Sequence, residues 1–93
     1  MILLGDIGMH NDDYPIKIEV IGYSGYRLNE RPLCIYFQHR RIMVKTLIDR
    51  WYGQESDYFK VLCEDGNVYL LKWNRYYDIW FLLKKIERDW NLH

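Results

Sequence analysis

The chain has 93 residues, 49% of them hydrophobic and 17% aromatic, and its thirteen basic and thirteen acidic side chains give a formal net charge of zero. That length argues for one domain, and rings that each remove roughly 150–250 Å² from water argue for a globular core that needs no metal or disulfide. Neutrality withdraws the simplest electrostatic case for nucleic acid, Cys34 and Cys63 form no CxxC or Cys/His zinc spacing, and no run approaches the roughly 20 apolar residues of a membrane helix.

Residues 1–14 are acidic and aperiodic and predict a flexible arm ahead of a single domain over residues 15–93. The opening "MILLGDIG" lacks the basic start and long apolar run of a signal peptide, which predicts a soluble, cytoplasmic protein. From Ile16 to Gly22 the apolar Ile16, Ile18 and Val20 alternate with Lys17, Glu19 and Ile21, the period of a half-buried strand. Gly22, Gly25, Ser24, Asn29 and Pro32 then mark a long loop. "LCIYFQ" (33–38) reads as a strand, "HRR" (39–41) as a turn, and "IMVKTLIDRWY" (42–52) as a longer strand. In that strand Ile42, Val44, Thr46 and Ile48 lie on one face and Met43, Leu47 and Trp51 on the other.

The next hairpin has two possible registers. A two-residue Asp65–Gly66 turn puts Lys72 on the face of Phe59 and Val61, whereas a three-residue loop over residues 64–66 pairs Val61 with Tyr69 and Phe59 with Leu71. A slip of one residue exchanges the faces, so burial selects the longer loop, which also places Gly66 at its left-handed position. A four-residue loop over 75–78 then pairs Trp73 with Trp80 and Leu71 with Leu82. The predicted core face carries Phe59, Val61, Cys63, Tyr69, Leu71, Trp73, Trp80 and Leu82, and only the opposite face, with Tyr58, Lys60, Leu62, Val68, Leu70 and Lys72, stays available to partners. The spacing of Leu83, Ile86 and Trp90 suits a short C-terminal helix. The expected fold is all-β, a small antiparallel barrel or strongly bent sheet of about six strands, followed by that helix.

Catalytic signals are weak. His10, His39 and His93 have no local partner to orient them, "GYSG" lacks the GxSxG spacing of a nucleophile elbow, and "HNDD" (10–13) reads as an acidic arm before it reads as a cation site. The sequence predicts a non-enzymatic binding module without cofactor or metal. Its most asymmetric segment places Arg27, Arg31, Arg40, Arg41, Lys45 and Arg50 against only Glu30 and Asp49, with Tyr26, Tyr36, Phe37, Trp51 and Tyr52 interleaved. Cations for phosphates beside rings for bases are the ingredients of a single-strand nucleic-acid surface on a small barrel. The expected nucleic-acid residues are Arg27, Arg31, Arg40, Arg41, Lys45 and Tyr36. The competing explanation is that these cations solvate strand ends while the rings fill the core. Arg75, Tyr76 and Tyr77, at a hairpin tip, are expected to meet a partner, protein or nucleic acid, the two tyrosines by stacking or direct contact, and a protein-interaction module using that tip or a sheet edge is the alternative function. Residual self-association through Leu62, Val68 and Leu70 would make the chain a monomer or weak homodimer.

Glu30-Arg31-Pro32, Ile42 and Val44, Asp49 with Trp51, Tyr58-Phe59-Lys60-Val61, Asp65-Gly66, Tyr69 with Leu71, and Trp80 with Leu82 form a set spanning residues 15 to 84. This set resembles a family of small bacterial domains of unknown function. Some of its members occur as carboxy-terminal additions to translesion-polymerase-like proteins, so the resemblance implies an association with DNA repair. It implies no catalytic residues, and most of its positions coincide with the predicted core.

Overall fold

The computed structural model describes residues 14–25 and 30–87. Six strands close into an antiparallel barrel in chain order: β1 (Ile16–Ile21), β2 (Cys34–Phe37), β3 (Arg40–Tyr52), β4 (Ser56–Cys63), β5 (Val68–Asn74) and β6 (Ile79–Ile86), with β6 returning to pair with β1. Closure removes the sheet edges that would otherwise invite aggregation. Along β4 the buried positions alternate, so that Asp57, Phe59, Val61 and Cys63 point inward while Tyr58, Lys60 and Leu62 are half-buried on the outer face. Phe59, Val61, Tyr69, Leu71 and Leu82 have no exposed surface at all, and Ile18, Ile35, Ile42, Val44 and Trp80 complete the core.

Both carboxy-terminal hairpins adopt the predicted register. Val61 pairs with Tyr69 and Phe59 with Leu71, and Trp73 pairs with Trp80 and Leu71 with Leu82. Gly66, at φ 88°, takes the left-handed position that closes the Glu64–Gly66 loop, and its N–H donates to the carbonyl of Cys63 at 2.9 Å. A side chain at that φ would be strained, which is why the turn selects glycine.

Three local readings are corrected. The β2–β3 turn is Gln38–His39 alone, both residues at positive φ, because a two-residue loop with two left-handed residues matches the twist of its strands. Arg40 and Arg41 are therefore strand residues rather than part of the turn. In β3 the pairing shifts register twice, leaving Lys45 and Ile48 as extra residues opposite β4. Each bulge reverses which face a side chain takes, so Leu47 and Arg50 join Ile42 and Val44 on the inside while Thr46 and Ile48 stay exposed. Third, β6 remains a strand through Leu83 and Ile86, where the spacing suggests the start of a helix. Leu70 pairs with Lys84 and Leu71 with Leu82, so Leu83 is an extra residue, and that insertion produces the helix-like spacing. The remainder of the expected helix, residues 88–93, and residues 1–13 of the expected arm 1–14 lie outside the described residues; the arm's last residue, Tyr14, is half-buried against the core.

Candidate nucleic-acid interface

The inward turn of Arg50 carries a cation into one mouth of the barrel. Its guanidinium lies 4.8 Å from the ring centre of Phe59 and 4.9 Å from that of Tyr52, and it donates to the Asp57 carboxylate at 2.9 Å. The two side chains are 12% and 3% exposed. Burial opposes the charge on Arg50, but the hydrogen bond to Asp57 and the neighbouring groups outweigh it and leave the pKa raised. Asp57 also accepts from Arg75, which donates in turn to the carbonyls of Gly53 and Gln54. Tyr23 closes the mouth from the β1–β2 loop, edge-on to Phe59, Trp73 and Trp80 at 5.2–5.3 Å between ring centres. In that loop Glu30 accepts from the backbone of Ser24 and Gly25, so the first residue of the "ERP" segment holds a turn together.

The outer face has a different character. Lys17 of β1 pairs with Phe81 of β6, Phe81 with Lys72 of β5, Lys72 with Tyr58 of β4, and Tyr58 with Trp51 of β3. At about 4.8 Å between neighbouring strands this five-residue row runs about 19 Å around the outside of the closed barrel, over five of its six strands. Its end is a ring pair, with Trp51 and Tyr58 stacked at 5.7 Å and 9°. The adjacent row runs Lys84, Leu70, Lys60, Asp49. Lys17, Lys84 and Trp51 are exposed and Lys60, Lys72, Tyr58 and Phe81 half-buried, so the lysine stems cover apolar surface while their ammonium groups reach water. None of these four lysines takes part in an ion pair among the described residues. Asp49 is the one carboxylate in the two rows, and it accepts from the backbone N–H of Arg50 at 2.8 Å; Glu19 flanks the first row on β1.

Of the cations expected from sequence, the structure brings Arg31, Lys45 and Arg50 to one concavity and places Arg40 and Arg41 on the β2–β3 hairpin. Arg31 and Lys45 line an open concavity of about 540 Å³ beside β3. Arg40 and Arg41 are exposed on the β2–β3 hairpin, where Arg41 faces Tyr36 across the strands and Tyr36 faces Glu19. Arg41 and Lys45 are thus about 13 Å apart along β3. Tyr36 is half-buried, Phe37 is core, and Arg27 lies outside the described residues. At the tip, Arg75 has its guanidinium taken up by Asp57 and the loop carbonyls, whereas Tyr76 and Tyr77 are 74% and 75% exposed. Sequence reasoning singled out the face of Tyr58, Lys60 and Lys72 as available but missed Lys17, Phe81 and Lys84. The signal was the outward alternation in each strand; the strand order that brings β1 and β6 alongside β5 is not written in any single segment.

Among the described residues no three His, Cys, Asp or Glu side chains are grouped so as to hold a metal. Burial pushes the Cys63 thiol up to about 12, with Asp65 and Glu64 adding to the effect, so it stays protonated and a poor nucleophile. No family model, curated protein or solved structure matches the chain.

Proposed function

We propose that the chain is a non-enzymatic module that binds single-stranded nucleic acid on the outer face of β3–β6 and β1. The observation carrying this reading is the row Lys17–Phe81–Lys72–Tyr58–Trp51, two cations and three rings on five strands, with Lys60 and Lys84, in no ion pair among the described residues, beside it. Ammonium groups neutralise phosphates while ring faces accept bases, and stacking tolerates any sequence because every base has a π-face. A duplex would hide those faces, so a single strand is the better fit. An association with DNA repair, implied by the family resemblance, agrees with such a ligand.

An amide-shift NMR titration of labelled protein with oligo-dT and oligo-U, at two salt concentrations, tests the proposal. Shifts are expected on Lys17, Trp51, Tyr58, Lys60, Lys72, Phe81 and Lys84. Four phosphate contacts predict that log K falls with log salt at a slope of about −3, and Lys60→Ala with Lys72→Ala should bring it to about −1.5. Shifts confined to Arg31, Arg40, Arg41 and Lys45 would move the site to the first-expected cations. Silence at millimolar oligonucleotide would refute nucleic-acid binding.

A further inference from the structure

The pole next to Trp51 carries rings that the lysine row does not use. Tyr52, which follows Trp51, is 64% exposed, and Tyr76 and Tyr77 exceed it. Such exposure on a hairpin tip would mean little if the tip were loose, but it is held at every residue. The Asn74 side-chain oxygen accepts from the backbone N–H of Tyr76 at 3.0 Å and of Tyr77 at 3.1 Å. Asp78, at φ 55°, donates its N–H to the Asn74 carbonyl at 2.8 Å and accepts from the Trp73 indole at 2.7 Å. Arg75 ties the tip to Gly53, Gln54 and, through its backbone N–H at 3.0 Å, to Glu55. The loop that follows Tyr52 and the tip that carries Tyr76 and Tyr77 are therefore tied together through Arg75, at the end of β3 where Trp51 lies.

We infer that this pole is a second stacking platform, on which Tyr52, Tyr76 and Tyr77 receive further bases of the same single strand. The inference rests on the binding proposed for the lysine row. Two rings held in water on a fixed backbone are preorganised for a planar partner, and so lose little conformational freedom on binding it. The charges around them settle which part of the strand comes here. Arg75 is neutralised by Asp57 and Asp78 is bonded to Trp73, while the exposed Glu55 repels phosphate. Bases rather than phosphates face the pole, and its contribution is nearly independent of salt, whereas that of the lysine row is steeply dependent.

Fluorescence anisotropy with labelled oligo-dT of four and of twelve nucleotides tests this, using the wild type and the double variant Tyr76→Ala/Tyr77→Ala at two salt concentrations. Both rings are exposed, so the variant should keep its dispersed amide spectrum, which is checked first. The variant is expected to bind the twelve-mer roughly tenfold or more weakly and the four-mer as the wild type does, since each stacked base contributes on the order of a tenfold change. That deficit should persist unchanged at the higher salt. Equal affinity of variant and wild type for the twelve-mer would overturn the platform while leaving the lysine row intact. Failure of the wild type to bind either length would overturn both.

Discussion

Replacing Asp57 by Ala removes the one carboxylate that faces two arginines at the barrel mouth. Arg50, 12% exposed, would keep its charge beside the rings of Phe59, Tyr52 and Tyr23 with no counter-ion. Removing one partner of a buried ion pair costs about 3–5 kcal/mol, because the remaining charge is still desolvated. Arg50 sits at a mouth and can swing part-way to water, which argues for the low end, about 3 kcal/mol. Arg75, 35% exposed, adds little, since a solvated pair contributes about 1 kcal/mol or less. For a domain of this size about 3 kcal/mol lowers the melting temperature by about 12–24 °C. Urea unfolding should show a lower midpoint with an unchanged slope. The decisive comparison adds Arg50→Met. With the stranded charge gone, Asp57→Ala/Arg50→Met should recover more than half of the loss, so that the two substitutions are strongly non-additive. A cost below about 1 kcal/mol for Asp57→Ala, or simple additivity in the double variant, would refute the claim that the carboxylate neutralises a buried arginine.

Two further expectations concern titratable groups in the core. Cys34 and Cys63 are both 1% exposed, and the Cys63 thiol is pushed up to about 12 by burial. Neither should react with a disulfide reagent at pH 8 in the folded protein, and both should react at once in denaturant; prompt reaction of either under native conditions would contradict the packing. The Tyr69 hydroxyl is raised well above its ordinary value by burial and by donating to Asp65 at 2.5 Å, and burial raises Tyr23. A folded-state pKa above the unfolded value means that the protonated phenol favours the fold. That stability is fully present below about pH 10, the unfolded value, and is lost as pH rises through the folded values. Ultraviolet titration should show tyrosines that ionise only with unfolding. Tyr69→Phe should flatten the decline in stability above pH 10; an unaltered decline would show that Tyr69 is not the linked group.

The two carboxy-terminal hairpins were legible because each offered a choice that burial decides. Only one register of residues 57–74 keeps Lys72 off the face of Phe59, and Gly66 marks the turn that produces it. β3 was legible as a strand but not in its facing. An inserted residue leaves no mark when polar and apolar positions alternate as irregularly as Lys45, Thr46, Leu47 and Ile48 do, so the two bulges that turn Arg50 inward were invisible. Asp57 follows a polar loop and resembles any solvated carboxylate; its burial depends on Arg50 and Arg75 arriving from seven and eighteen residues away. The candidate site divides in the same way. Lys60 and Lys72 were visibly outward within one hairpin, but Lys17, Phe81 and Lys84 join them only once the barrel closes.

A net charge of zero says less about binding than it first suggests, because the fold sorts the charges by role. Arg50 and Arg75 are spent on Asp57, and Lys85 lies 3.5 Å from Glu87. Lys17, Lys60, Lys72 and Lys84, like Arg31, Arg40, Arg41 and Lys45, have no such partner among the described residues, and the two rows hold one carboxylate, Asp49. A field from these lysines reaches about 10 Å at moderate salt, half the length of the row, so in the binding proposed this surface would meet a ligand as positive although the molecule as a whole is neutral. The separation also divides stability from binding. The Arg50–Asp57 pair at the mouth contributes to the fold, whereas the ammonium groups of the lysines, in no ion pair among the described residues, add little to it and, in the binding proposed, would exchange counterions for phosphate. Loss of salt-dependent binding should therefore follow substitution of the lysines by Gln, which keeps most of each stem, with little loss of melting temperature, and loss of melting temperature should follow substitution of Asp57.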